Sequence, residues 1–298
     1  MKVLITGSSG LVGSRYLELS LEVLTILDPT ELELNITDKK AVESYIQTYK
    51  PNLIIHFAAV TDVKKSETER GNTDALTWRV NVEGTKNLVN VARTNNIRFI
   101  HISTDLVFPG TEKREEYYDE NSTPEDNANK LSWYGYTKLK AEEMVKTLTQ
   151  YTIIRIAYPY RAKYEKKVDF ARLFLQMYDS NTMYPLFSDN TICPTFIDEL
   201  CEVINIIIKT EKEGVFHVTS TNSTSHYEFA KYIIGKTGRD TNKIEAASMS
   251  EFIKTSKIPR ALYSTLRNDI TQRSLGIKLK TWQESANSFL YQLKTPGY

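Results

Sequence analysis

Tyr134 and Lys138 stand at i and i+4 in the segment SWYGYTKLKAEEMV, and the chain opens with MKVLITGSSGLVGSR, a glycine-rich turn directly after an apolar strand. If residues 134–149 are helical, this spacing puts the phenol and the ammonium on one face, one turn apart. A cation held within roughly 4–6 Å of a phenol oxygen favours the phenolate and draws a group that titrates near ~10 toward neutrality. The pair therefore reads as proton chemistry beside a carbonyl or an alcohol.

The opening turn suggests what works beside it. Gly7, Gly10 and Gly13 form GxxGxxG, with Ser9, Leu11 and Val12 between them in the turn and the start of the following helix. The first glycine permits the tight turn, the second lets a pyrophosphate approach the backbone, and the third lets helix and strand pack closely. The unpaired N-terminal amides of that helix then face the anion. Asp28 ends the second apolar strand, where a carboxylate would hydrogen-bond a ribose 2′-hydroxyl and repel a 2′-phosphate. This favours NAD over NADP, and Arg15 nearby softens the preference.

The elements that must hold these groups alternate. Strands are expected at 2–6, 22–27, 53–57 and 98–103, and helices at 11–20, after Asp38, over 75–94 and over 134–149. Such alternation implies an α/β fold with a doubly wound parallel (Rossmann) sheet, built with right-handed crossovers. After a strand at 152–156 the alternation weakens. Helices follow at 168–178, after Pro194 and at 227–235, a strand at 215–219, and a last amphipathic helix in TWQESANSFLYQLK. The expected division is a dinucleotide-binding domain over 1–158 and a smaller α/β substrate-binding region over 159–298, with segments crossing between the two. The polar stretch 112–131 is too long for an ordinary connection and reads as disordered or as a functional loop, its location favouring a lid.

Composition narrows the function classes. The chain has 298 residues, 41% hydrophobic, and 38 basic against 37 acidic residues, so its net charge of +1 creates no field for nucleic acid or an anionic membrane. The apolar run at the N-terminus is too short for a signal sequence and no stretch approaches a membrane span, so a cytoplasmic protein is expected. Cys193, Cys201 and the four histidines have no zinc spacing, no metal site is expected, and the two cysteines read as reduced structural thiols.

Taken together, GSSGLVG, HFAAVTDVKKSE, RVNVEGTKNLV, HISTDLVFPG and YGYTKLKAE resemble the extended short-chain dehydrogenase/reductases, and within them the dTDP-4-dehydrorhamnose reductase-like family. The resemblance covers nearly the whole chain, since IIRIAYPY, PTFIDEL, GVFHVTSTNSTSHYEFAKYI and PRALYSTL follow in that family's order. It implies that Tyr134 is the acid/base tyrosine, Lys138 its lysine and a ribose ligand, and Thr104 the carbonyl-polarising hydroxyl, with Ser103 as the other possible donor. It further implies NAD or NADP as cofactor, hydride transfer to a nucleotide-linked 4-keto sugar, and a homodimer. Ala58 and Ala59 match a segment lying against the cofactor, while His56 reads equally as a cofactor contact or a core histidine, and Asn81 as a site-holding or a structural amide. Asp105, Tyr158 and Arg260 are candidate substrate contacts.

The pattern also departs. Leu106 stands where the family usually has tyrosine, Tyr158 where tryptophan is frequent, Lys64 where an acid is common, and Ala261 where proline is expected. These changes put the sugar in doubt more than the reaction. Two other readings stay open: a sugar-nucleotide epimerase or dehydratase that recycles its cofactor, and a non-catalytic nucleotide-binding regulatory subunit.

Overall fold

The computed structural model describes residues 1–111 and 118–295. Among them run the strands β1 (Lys2–Thr6), β2 (Thr25–Leu27), β3 (Leu53–His56), β4 (Arg98–Thr104), β5 (Tyr151–Ile156), β6 (Leu186–Phe187), β7 (Thr191–Ile192), β8 (Gly214–His217), β9 (Ala246–Ala247) and β10 (Tyr263–Ser264). The larger helices that carry the argument include α1 (Leu11–Leu19) and α2 (Lys39–Tyr49). A single helical run follows, made of α3 (Leu76–Trp78), a π-turn at Arg79–Gly84 and α4 (Thr85–Thr94), and after it comes α5 (Trp133–Val145).

Six strands form one sheet in the order β2-β1-β3-β4-β5-β8. The pairs β1–β2, β1–β3 and β3–β4 are parallel, as runs such as KVLIT and LIIH require when both faces are covered. Val3, Leu4 and Ile5 of β1 and Leu53, Ile54 and Ile55 of β3 are wholly buried. Helix starts follow their capping residues. Asp38 accepts from the amides of Lys40 and Ala41 at the head of α2, and Ser132 accepts from Gly135 N at the head of α5.

Three expected elements differ. The second strand begins at Thr25 rather than residue 22, because Leu24 N bonds to Leu21 O in a turn that leaves Val23 exposed. The helix 75–94 is continuous but widens into its π-turn. The helix carrying Tyr134 ends at Val145, short of 149, where Thr147 and Leu148 close tighter turns onto Met144 and Val145.

The chain divides into two compact units. The first is Met1–Phe108, Thr123–Arg155 and Cys201–Phe216; the second is Pro109–Ser122, Ile156–Leu200 and His217–Tyr298. Each has its own core. In the first, Leu4, Ile54, Leu88, Phe99, Val145 and Ile153 pack together; in the second, Tyr160, Phe174, Phe196, Phe229, Trp282 and Phe289 do. Cys193 and Cys201 are buried thiols and form no disulfide with each other. No helix among the described residues is long and apolar enough to cross a membrane.

Candidate active site

The glycine turn is built for close approach. Gly7 has φ +71°, and a Cβ there would lie 2.5 Å from Ala58 N; one at Gly13 would lie 2.4 Å from Gly7 O. Neither position tolerates a side chain without moving backbone. Gly10 precedes α1 with no side-chain cap, so the amides opening that helix at Leu11, Val12 and Gly13 keep their affinity for an anion. A cleft of about 290 Å³ in the first unit is lined by Gly7, Gly10, Glu31, Thr37, Ala58 and Ala59, among others. Ser9 is exposed in the turn. Asp28 is exposed just beyond β2 and does not line the cleft, whereas Pro29 and Glu31 do. Arg15 is buried and pairs with Glu18 at 2.6 Å.

At the C-terminal end of β4 the structure gathers Thr104, Asp105 and Tyr134. Thr104 Oγ1 donates to Asp105 Oδ1 at 2.9 Å, accepts from Leu106 N at 3.3 Å, and neighbours the Tyr134 phenol, whose acidity it favours. Burial pushes Asp105 up to about 7, against the Thr104 bond that lowers it. Burial also raises the Tyr134 phenol above its ordinary range, and the neighbouring Asp105 adds to the rise. The expected drift of this phenol toward phenolate is thus reversed. Lys138 does share the helical face, but it is buried and its Nζ bonds to His101 Nε2 at 3.0 Å, and Lys138 is not among the groups that shift Tyr134. Burial brings Lys138 itself down to about 7, with Glu142 opposing.

Behind this cluster lies a buried polar layer that spacing alone did not reveal. Arg155 donates from Nε and Nη2 to Glu142 at 2.9 and 2.8 Å. Burial would raise Glu142, but the guanidinium more than offsets it and holds the carboxyl below its usual range. Ser103, the alternative hydroxyl donor, is buried and turned to the Glu142 carboxylate without completing a hydrogen bond of ordinary geometry. Thr104 is therefore the better placed of the two.

His56 proves to be a satisfied core histidine. Its Nδ1 lies 2.6 Å from Thr6 Oγ1 and its Nε2 2.9 Å from Thr85 Oγ1. Since the Thr85 hydroxyl donates to Asn81 O, Nε2 must carry the imidazole proton and Nδ1 must accept from Thr6. Asn81 is buried in the π-turn, where its side chain pairs with both backbone groups of Val60 at 2.8 and 3.1 Å and donates to Thr137 Oγ1 at 3.0 Å. It joins the segment after β3 to α5.

Gly135, which sequence reading passed over, sets the approach of α5 to the Thr104 turn. A Cβ there would lie 2.1 Å from Leu106 O. The signal was present as the small residue in YGY, but its meaning depends on a carbonyl far away in the chain. Lys64 is exposed. Tyr158 and Arg260 belong to the second unit. Tyr158 holds φ +45°, with ring contacts to His226 at 5.0 Å and Phe170 at 5.6 Å, and the Arg260 guanidinium lies 5.9 Å from the centre of the Phe252 ring. Residues 112–117 of the expected lid lie outside the described residues. Of the rest, Tyr118 bonds through its backbone to Thr265 and Arg267, and Glu120 accepts from Thr271 N and Oγ1 at 2.7 and 2.6 Å.

The family model described as RmlD substrate binding domain matches residues 1–295. The chain is 30% identical to a dTDP-4-dehydrorhamnose reductase of Aggregatibacter actinomycetemcomitans, over 95% of this chain and 96% of that one. It is 28% identical to a protein of the same name from Sinorhizobium fredii, over 100% and 99% of the two chains. A crystal structure of dTDP-4-dehydrorhamnose reductase from Bacillus anthracis in complex with NADP superposes with a TM-score of 0.86 at 29% identity, covering 98% of this chain and 99% of that one.

Proposed function

Because the chain belongs to the RmlD substrate binding domain family, we propose that it is an NAD(P)-dependent reductase of a nucleotide-linked 4-keto sugar, of the dTDP-4-dehydrorhamnose reductase type. The observation that most supports this reading is the Thr104–Asp105–Tyr134 cluster at the C-terminal end of β4, the edge where ligands bind in such sheets.

The residues present fit a dinucleotide. Gly7 and Gly13 leave backbone that no side chain can share, Ser9, Gly10, Leu11 and Val12 bring the uncapped start of α1 to a diphosphate, and Ala58 and Ala59 keep the cleft wall thin. Bound there, reduced NAD or NADP supplies a hydride. NADP accompanies the Bacillus anthracis relative, and Asp28, the residue expected to favour NAD, stands outside the cleft lining, so both cofactors are carried into the test. The chain's own residues handle the proton. A phenol that stays protonated at neutral pH is the donor form, so Tyr134 can give its proton to the alkoxide oxygen that reduction creates. Thr104 stabilises that oxygen when its own proton turns from Asp105, and Asp105 makes this turn possible because near pH 7 it exists in both charge states. Lys138 holds the cofactor ribose, and the reading carries a homodimer with it.

The test is a screen of dTDP-, UDP- and GDP-linked 4-keto sugars with NADH and NADPH, followed by loss of reduced nicotinamide absorbance. One cofactor oxidised per sugar is the expected result. Sugar conversion without net oxidation would replace the reductase with an epimerase or dehydratase, and nucleotide binding without conversion would leave a regulatory subunit. The two cofactor arms also test Asp28.

A further inference from the structure

The reductase reading leaves one buried contact unused. Lys138 Nζ meets His101 Nε2 at 3.0 Å, the lysine 3% and the histidine 0% exposed. Among the described residues the ammonium has no other hydrogen bond. The register of β3 on β4 sets His56 beside His101, with ring centroids 5.3 Å apart. Both nitrogens of His56 are already engaged by Thr6 and Thr85, so His56 neither gives a bond to His101 nor takes one. Among the described residues His101 Nδ1 has no hydrogen-bond partner. A buried ring nitrogen left in this state is destabilising, and a phenylalanine or leucine would fill the same strand position without that penalty. What the imidazole provides that an apolar side chain does not is the acceptor at Nε2.

We propose that His101 is a positioning residue for Lys138: by accepting a hydrogen bond from the ammonium at Nε2 it fixes where the lysine head sits and ties the state of the imidazole to whether that lysine carries its proton. The inference rests on the reductase reading only for what Lys138 then does. The charged and titratable groups acting on the pair are His56 from β3 and Glu142 one turn on along α5, which pairs in turn with Arg155 from β5; Tyr134 stands one turn before Lys138 on the same helix. The two imidazoles stay neutral, because burial holds both well below their ordinary range. Within this group the proton that moves near neutrality is that of Lys138, which burial brings to about 7.

The chain has four histidines, so imidazole nitrogens can be followed one by one in 15N-histidine-labelled protein without added cofactor, with His101→Gln to assign the signal. The His101 nitrogens should shift with an inflection near pH 7, and the inflection should vanish in Lys138→Met. A flat titration, or an inflection that survives in Lys138→Met, overturns the proposal. On turnover, His101→Phe keeps a ring but no acceptor and should lower kcat/KM about tenfold with a displaced pH profile, whereas His101→Gln returns an acceptor near Nε2 and should recover most of it. A wild-type profile in His101→Phe also overturns it. The labelled titration needs no substrate, so its failure and that of the reductase assignment are separately visible.

Discussion

Tyr134 keeps its proton while Asp105 half gives up its charge, and a single hydroxyl, that of Thr104, lies between them. Removing the phenol oxygen removes the proton that leaves and little else. Tyr134→Phe should therefore lower kcat by roughly 10² or more while dinucleotide affinity, followed by nicotinamide fluorescence, stays nearly unchanged. Asp105 gives a prediction with a sign. Its folded-state pKa of about 7 lies above the ordinary 3.8, so between these values the folded protein binds more protons than the unfolded chain and stability falls as pH rises. Asp105→Asn removes the buried charge. It should raise the thermal midpoint more at pH 8 than at pH 5, and equal shifts at both would contradict the raised carboxyl.

The contact of α5 with the turn after β4 depends on one residue without a side chain. Gly135→Ala would force a methyl to within 2.1 Å of Leu106 O, so the helix must move and Tyr134 with it. A displacement near 1 Å is enough to lower kcat roughly 10²-fold; because Lys138 rides on the same helix, the proposed ribose contact weakens with it while the glycine turn is untouched, and stopped-flow and equilibrium titration measure the two effects. Elements whose causes are local were legible in the sequence. The strand LIIH, the Asp38 cap and the i, i+4 placement of Tyr134 and Lys138 follow from near neighbours. The rest was not. The π-turn at Arg79–Gly84 arises where Asn81 must reach Val60 and Thr137, and the rise rather than fall of the Tyr134 phenol depends on Asp105 and on burial. Spacing along a helix shows which side chains share a face; what waits on the facing strand, such as His101 beneath Lys138, lies outside its reach.

The buried titratable groups add up over the whole molecule. Burial lowers His56 to about 3 and His226 to about 4, and holds His101 well below the ordinary 6.5, so acid protonates the unfolded chain first. Stability should fall as pH drops below about 6.5. Lys138 acts in the same sense higher up: between about 7 and 10.5 the unfolded chain holds a proton that the folded one has released, so stability rises with pH there. These contributions outnumber that of Asp105, and the denaturant midpoint should be higher at pH 8 than at pH 5, as urea titrations at the two values would show. The two cores predict one more outcome. Each unit is assembled from three separate stretches of chain that alternate in sequence with those of the other, so complete unfolding of either releases segments at both ends of the other's inner stretches. Far-UV circular dichroism and tryptophan fluorescence should report one common transition, and two resolved steps would contradict this. The same threading constrains ancestry: a single recombination breakpoint cannot deliver the second unit as a cassette, because any cut that carries 156–200 along with 217–295 also brings 201–216 of the first. New properties of the second unit in such a lineage are left to arise by substitution in place rather than by exchange of parts.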